Sequence, residues 1–212
     1  MSDREARILS EAMQRVLAEA PEPDWPFLDS APPVRVIDCV LSLNRAYTSF
    51  LVPRVRAFEQ GHPEVRTCAD LRDRMLAAPS PAAFLAAALR VNDARRARTL
   101  LGVTEYAIDA QGRFAGADES SRLAAWARWA RPGDYLSAGV PGFGLAGFQY
   151  LRMLFGADTA KPDVHLIRFV SRVLGRKVSD AQTLYLLERA AQISGLSLRA
   201  LDGKIWERGA HG

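Results

Sequence analysis

The chain of 212 residues can bury a sizeable core, as one large domain or as two small lobes. Its composition is 49 % apolar and rich in alanine and leucine, while β-branched residues are too scattered to supply a sheet; an all-α fold is expected. The formal charge of +4, from 28 basic and 24 acidic residues, is too small an excess to identify a polyanionic partner by itself.

The make-up of that charge is more telling than its size. Lys161, Lys177 and Lys204 are the three lysines, so nearly every cation is an arginine, whose planar fork suits phosphate oxygens. The codon bias of a GC-rich genome would give the same excess, and composition alone does not separate the two. Cys39 and Cys68 are too few for a disulfide framework, and with His62, His165 and His211 they show no metal-ligand spacing, so no metal site is expected. The N-terminus lacks the apolar core of a signal peptide, and no stretch approaches the ~20 apolar residues of a membrane span. These features predict a soluble, cytoplasmic protein.

Helix signals recur along the chain. Ser2 and Glu5 form a capping box ahead of Ile8, Leu9, Ala12, Met13, Val16 and Leu17, which share one helical face. The proline-rich stretch 20–33 reads as an extended connector, and an apolar helix follows over about 33–51. Thr67 and Asp70 cap a helix that stops at Pro79, and Ser80-Pro81 opens the next with proline at the favoured first position. Another helix begins at Asn92 and weakens into a loop over 102–118. Residues 119–130 form a helix whose Trp126 and Trp129, three apart, read as core. Further helices are expected over 145–155, 164–174, 179–193 and 198–208.

The stretch 135–175 carries the chemistry. In Val140-Pro141-Gly142-Phe143-Gly144, two glycines around one apolar residue permit a tight turn that enters a helix and exposes successive backbone N–H groups. Such a helix start is a natural anion site, because its free donors and its dipole both favour negative charge. Asp163 follows 19 residues beyond Gly144, after Pro162 and immediately before the 164–174 helix. That position suits an N-cap, a role compatible with a catalytic one.

This order of parts, with His165 and Arg168 beyond the aspartate, resembles the helix-hairpin-helix (Gly-Pro-Asp) DNA glycosylase superfamily, whose endonuclease III-like members read Leu-Pro-Gly-Val-Gly, a helix, then Val-Asp-x-His. Upstream, Leu41-Ser42-Leu43-Asn44 is similar to the family's Leu-Ser-x-Gln helix end, whose polar residue fills the gap left by a flipped base. The resemblance implies one glycosylase-like unit over 1–212: a helical-bundle lobe of about 33–155 and a second lobe of about 1–32 with 156–212. It implies duplex DNA across the cleft of a nucleoid-associated monomer, with the backbone of Gly142, Phe143, Gly144, Leu145 and Ala146 on a phosphate and Asn44 as a wedge. A monovalent cation held by hairpin carbonyls could mediate the phosphate contact. Asp163 would stand beside the sugar of an extruded nucleotide and stabilise the oxocarbenium formed as the N-glycosidic bond breaks.

Three departures bear on mechanism. Ala146 stands where bifunctional members place a catalytic lysine, which leaves no Schiff-base amine there and implies a monofunctional glycosylase. Two distant cysteines cannot ligate an iron–sulfur cluster, so no cofactor of that kind is expected. Phe148 replaces a small residue, so the helix after the hairpin is expected to sit differently. A non-catalytic helix-hairpin-helix DNA-binding protein is the alternative.

Overall fold

The computed structural model describes residues 3–19, 24–43 and 45–210, and helix is the regular structure throughout them. Ser2 of the expected capping box and the candidate wedge Asn44 lie outside the described residues. Contacts divide the chain into two units, Pro26–Gly156 and Met1–Trp25 with Ala157–Gly212. No helix among the described residues is long and apolar enough to cross a membrane.

The Pro26–Gly156 unit is built around α6 (Ala94–Gln111), which contacts α2 (Pro32–Leu41), α4 (Cys68–Ala77), α5 (Pro81–Leu89) and α7 (Glu119–Trp129). The side chain of Asp93 starts α6 by accepting the Arg96 N–H at 2.9 Å. Contrary to the expected weakening at residue 102, the helix continues to Gln111. Burial of Val103, Thr104, Ala107 and Ala110 offsets the helix-breaking tendency of Gly102. The glycine is required for packing: a Cβ there would lie 2.9 Å from the Val140 side chain.

The expected 33–51 helix is shorter, because α2 stops at Leu41. Arg96 replaces the amides of a further turn, its guanidinium donating to the carbonyls of Val40 (2.6 Å), Leu41 (3.2 Å) and Leu43 (2.8 Å). The chain resumes as a π-helical turn, Tyr47–Leu51, leading into α3 (Val52–Gly61), an element the hydrophobic pattern does not reveal. Fully buried Asp38 accepts hydrogen bonds from the hydroxyls of Tyr47 (3.2 Å) and Tyr150 (3.2 Å to the same oxygen), tying α2 to α9 (Leu145–Leu154).

In the second unit α1 (Asp3–Glu19) packs on α10 (Val164–Leu174), α11 (Asp180–Ser194) and α12 (Leu198–Ala210). Leu9 and Met13 are fully buried, whereas Ile8, assigned to the same face from its spacing, is 40 % exposed at the edge of the stripe. The Lys204 ammonium donates to the Leu17 carbonyl at 2.8 Å and so closes the C-terminal end of α1.

Removing Arg96 would leave three carbonyls of the α2 terminus without this donor. Arg96→Met is expected to cost about 2–4 kcal/mol, since an unsatisfied acceptor and a lost charged hydrogen bond each carry a penalty of this order. Urea unfolding of the variant beside wild type measures it, and an unchanged midpoint would show that water replaces the guanidinium.

Candidate functional site

The turn ahead of α9 follows from its residue types. Pro141 and Gly142 occupy its two central positions, the Phe143 N–H donates to the Val140 carbonyl at 3.1 Å, and Gly142 has φ +82°. This is the pattern of a type II turn, in which proline presets the first central position and glycine tolerates the positive φ of the second. A Cβ at Gly142 would also lie 3.0 Å from the Thr99 hydroxyl, which donates to the Pro141 carbonyl at 2.8 Å. Phe143 anchors the turn in the core: it is 4 % exposed and its ring lies where a Cβ on Gly147 would meet it at 2.9 Å. Phe148, the departure from the small residue of the resemblance, is fully buried edge-on to Trp126 at 5.8 Å.

Gly144 is the N-cap of α9; its backbone is extended, it offers no side-chain acceptor, and a Cβ there would point into open space. The N–H groups of the first helical turn, Leu145, Ala146 and Gly147, have no acceptor within the helix and sit at its positive end. Leu145 is buried and Ala146 half-buried. The Val140 and Pro141 carbonyls accept hydrogen bonds from the Phe143 N–H and the Thr99 hydroxyl.

Beside the turn lies a cavity of about 240 Å³ lined by Val40, Leu43, Asp93, Arg95, Arg96 and Thr99, with Gly142 at its edge. Arg95 is exposed, and its Nε lies 4.0 Å from the position a Gly142 Cβ would take. The Arg96 N–H, then the Arg96 and Arg45 charges, hold the Asp93 carboxyl below the usual carboxylate range. Asp93 therefore balances the two guanidiniums nearest to it, at 3.5 Å for Arg96 and 3.8 Å for Arg45. None of these α6 residues is apparent from the glycine motif. Their helical spacing, with Thr99 one turn beyond Arg95 and Arg96, is the signal that places them together.

On the other flank Val140 and Pro141 border a cavity of about 550 Å³ lined by Tyr106, Phe114, Trp126 and Trp129. The tryptophan pair divides, contrary to the expectation of two core residues. Trp126 is 3 % exposed, but Trp129, at the last position of α7, is 67 % exposed and meets Phe114 edge-on at 5.7 Å. The second indole lines the cavity instead of the core.

Asp163 belongs to the other unit, as the N-cap of α10. One carboxylate oxygen accepts the His165 N–H at 2.8 Å and the Leu166 N–H at 3.4 Å. Asp163 and His165 are half-buried and Arg168 is exposed. A second acid, unmarked by any motif, acts on this segment: Asp202 of α12 is 5 % exposed and accepts the Lys161 N–H at 2.7 Å. Burial, and then the negative charge of Asp163, push its carboxyl up to about 8, against the opposing effect of Lys161. Cys39 and Cys68 are buried thiols in the core, outside any disulfide, the former donating to the Gly147 carbonyl at 3.3 Å.

The chain matches no curated protein and no solved structure. Residues 136–210 are similar to a family described as a domain of unknown function, DUF8548, a stretch that carries the turn, Asp163 and Asp202 but none of α6.

Proposed function

We propose that this protein is a monofunctional DNA glycosylase of the helix-hairpin-helix type, which binds duplex DNA and hydrolyses the N-glycosidic bond of a damaged or modified base. The observation that carries the reading is the uncapped start of α9: a type II turn delivers N–H donors that no side chain caps, and exposed Arg95 stands beside Gly142 of that turn. Fixed donors, a helix dipole and an arginine together suit a phosphate oxygen of the DNA backbone, a contact that positions the duplex and carries no sequence information. Asp163 supplies the carboxylate for the chemistry. Two backbone N–H groups hold one of its oxygens in place, and its charge stabilises the cationic sugar as the base leaves an extruded nucleotide.

The same hydrogen bonds favour the second reading. A carboxylate serving as a helix cap needs no catalytic role, and the protein would then be a non-catalytic DNA-binding relative that keeps the phosphate grip.

Binding is tested first. Duplex affinity is expected to fall with salt along a log–log slope of about −2 to −4, the signature of a few neutralised phosphates, with little dependence on sequence. Gly144→Val, which adds bulk in open space without requiring positive φ, is expected to fold normally and to bind about tenfold more weakly, on the scale of one lost charged contact. Gly142→Val is expected to destabilise the fold by about 1–3 kcal/mol through strain at φ +82°. No duplex binding at low ionic strength removes both DNA readings, and full affinity in Gly144→Val removes the turn from the interface.

Excision is tested with duplexes carrying alkylated, oxidised and deaminated bases, alkaline cleavage reporting abasic sites. On any substrate so found, Asp163→Asn is expected to slow excision at least ~100-fold while DNA affinity holds or rises. Borohydride is expected to trap no covalent adduct, because Ala146 offers no amine. A trapped adduct or an unimpaired Asn variant overturns the mechanism, and DNA binding without excision of any base supports the non-catalytic relative.

A further inference from the structure

The segment entering α10 is fastened to α12 at two points. Asp158 accepts hydrogen bonds from the Ser197 hydroxyl at 2.8 Å and the Arg199 N–H at 3.0 Å, pinning residue 158 to the start of that helix. Farther along α12, the Asp202 carboxyl accepts the Lys161 N–H at 2.7 Å. The carbonyl of the same Lys161 accepts the Asp163 N–H at 2.7 Å in a tight turn across buried Pro162. A single hydrogen bond therefore separates Asp202 from the three-residue turn that sets where the Asp163 side chain begins.

We propose that Asp202 is a positioning residue for Asp163, holding the 161–163 turn so that the Asp163 carboxylate stays fixed at the start of α10. This rests on the reading of Asp163 as the catalytic carboxylate, but the mechanical link is measurable without DNA. Asp202 is buried and acts through the Lys161 peptide. The neighbouring charges that act on it are those of Asp163 and Lys161, from the segment entering α10. On its own helix the Lys204 ammonium is turned to the Leu17 carbonyl of α1.

Protonation gives the link a direction in pH. With its carboxyl pushed up to about 8, Asp202 is neutral in the folded protein at neutral pH, whereas in the unfolded chain it ionises near the ordinary aspartate value of 3.8. The folded state thus binds the extra proton between these values. Its stabilising contribution is complete below about 4 and is lost as pH rises through about 8. Above that, Asp202 carries a buried charge beside Asp163, and the turn loosens.

Two variants separate charge from hydrogen bond. Asp202→Asn keeps an oxygen for the Lys161 N–H and cannot ionise, whereas Asp202→Leu removes the acceptor. The amides of His165 and Leu166, which the Asp163 carboxylate accepts, report its position. Near neutral pH their hydrogen exchange is expected to match wild type in Asp202→Asn and to be at least ~10-fold faster in Asp202→Leu, with α1 amides unchanged. Their chemical shifts in wild type are expected to show a step near pH 8 that Asp202→Asn lacks. Where excision is found, its rate is expected to fall above about pH 8 in wild type and not in Asp202→Asn.

A folded Asp202→Leu with wild-type exchange at both amides overturns the proposal. If that variant does not fold, the shift titration decides: no step in wild type, or the same step in Asp202→Asn, overturns it. If the amides behave as expected and wild type excises no base, the glycosylase reading fails and the link from Asp202 to Asp163 stands.

Discussion

The Pro26–Gly156 unit depends on one guanidinium. Arg96 is 11 % exposed at its side chain and donates to three carbonyls at the end of α2, so a cation on one helix completes the C-terminus of another. Without it those carbonyls would need another turn of helix or water. Arg96 also fixes a register. Thr99 stands one turn along α6 and binds the Pro141 carbonyl, and Gly102 stands a turn farther, against Val140. One face of α6 therefore carries, in order, the end of α2, the head of the type II turn and the residue that precedes that turn. Asp93, which starts α6, makes the arrangement tolerable by bringing a negative charge to the half-buried arginine.

Three glycines within six residues do different work, and the motif conceals this. Gly142 is required for its backbone, at φ +82°, and has little room for a side chain beside Thr99. Gly147 is required for packing, because the Phe143 ring occupies the space of its Cβ. Gly144 is required by neither: its backbone is ordinary and its Cα faces open space. A residue that the fold would allow to be larger, at the cap of a helix with no side-chain acceptor, is the one of the three whose smallness points outward. That contrast makes Gly144 the sharper probe of a ligand at this turn.

Local rules were legible wherever a side chain speaks to its own backbone. Thr67, Ser80, Asp163 and Ser179 all cap helices, each visible as a polar residue ahead of an apolar period. Where a distant partner decides, the sequence misleads. The 33–51 helix ends at Leu41, where Arg96, 55 residues later, donates to the terminal carbonyls. Gly102 reads as the start of a helix end until Val140 is packed against it. Trp126 and Trp129 are three apart, but only the first is buried and the second faces the cavity. Asp202 stands among Arg199, Lys204 and the apolar Leu198, Leu201 and Ile205, a mixed pattern in which an acid reads as a surface residue, and only the fold buries it. Asn44 lies outside the described residues, so its wedge role rests on the resemblance.

The two acids near α10 are best understood as one electrostatic unit. Neighbouring carboxylates in a poorly solvated setting cannot both ionise without large cost, and the proton goes to the one that water reaches least. Asp202, 5 % exposed, is that one, while Asp163 is half-buried and accepts hydrogen bonds from two helix N–H groups. Burial first, and then the neighbouring Asp163, keep the Asp202 carboxyl neutral near neutral pH. A lone carboxylate held at a helix start would achieve the same placement only until its loop moved. A second acid reaching that loop through the Lys161 peptide ties the position of the charge to the protonation state beside it. The charge that would oppose a cationic sugar and the proton that keeps its neighbour silent are therefore not independent features of this unit.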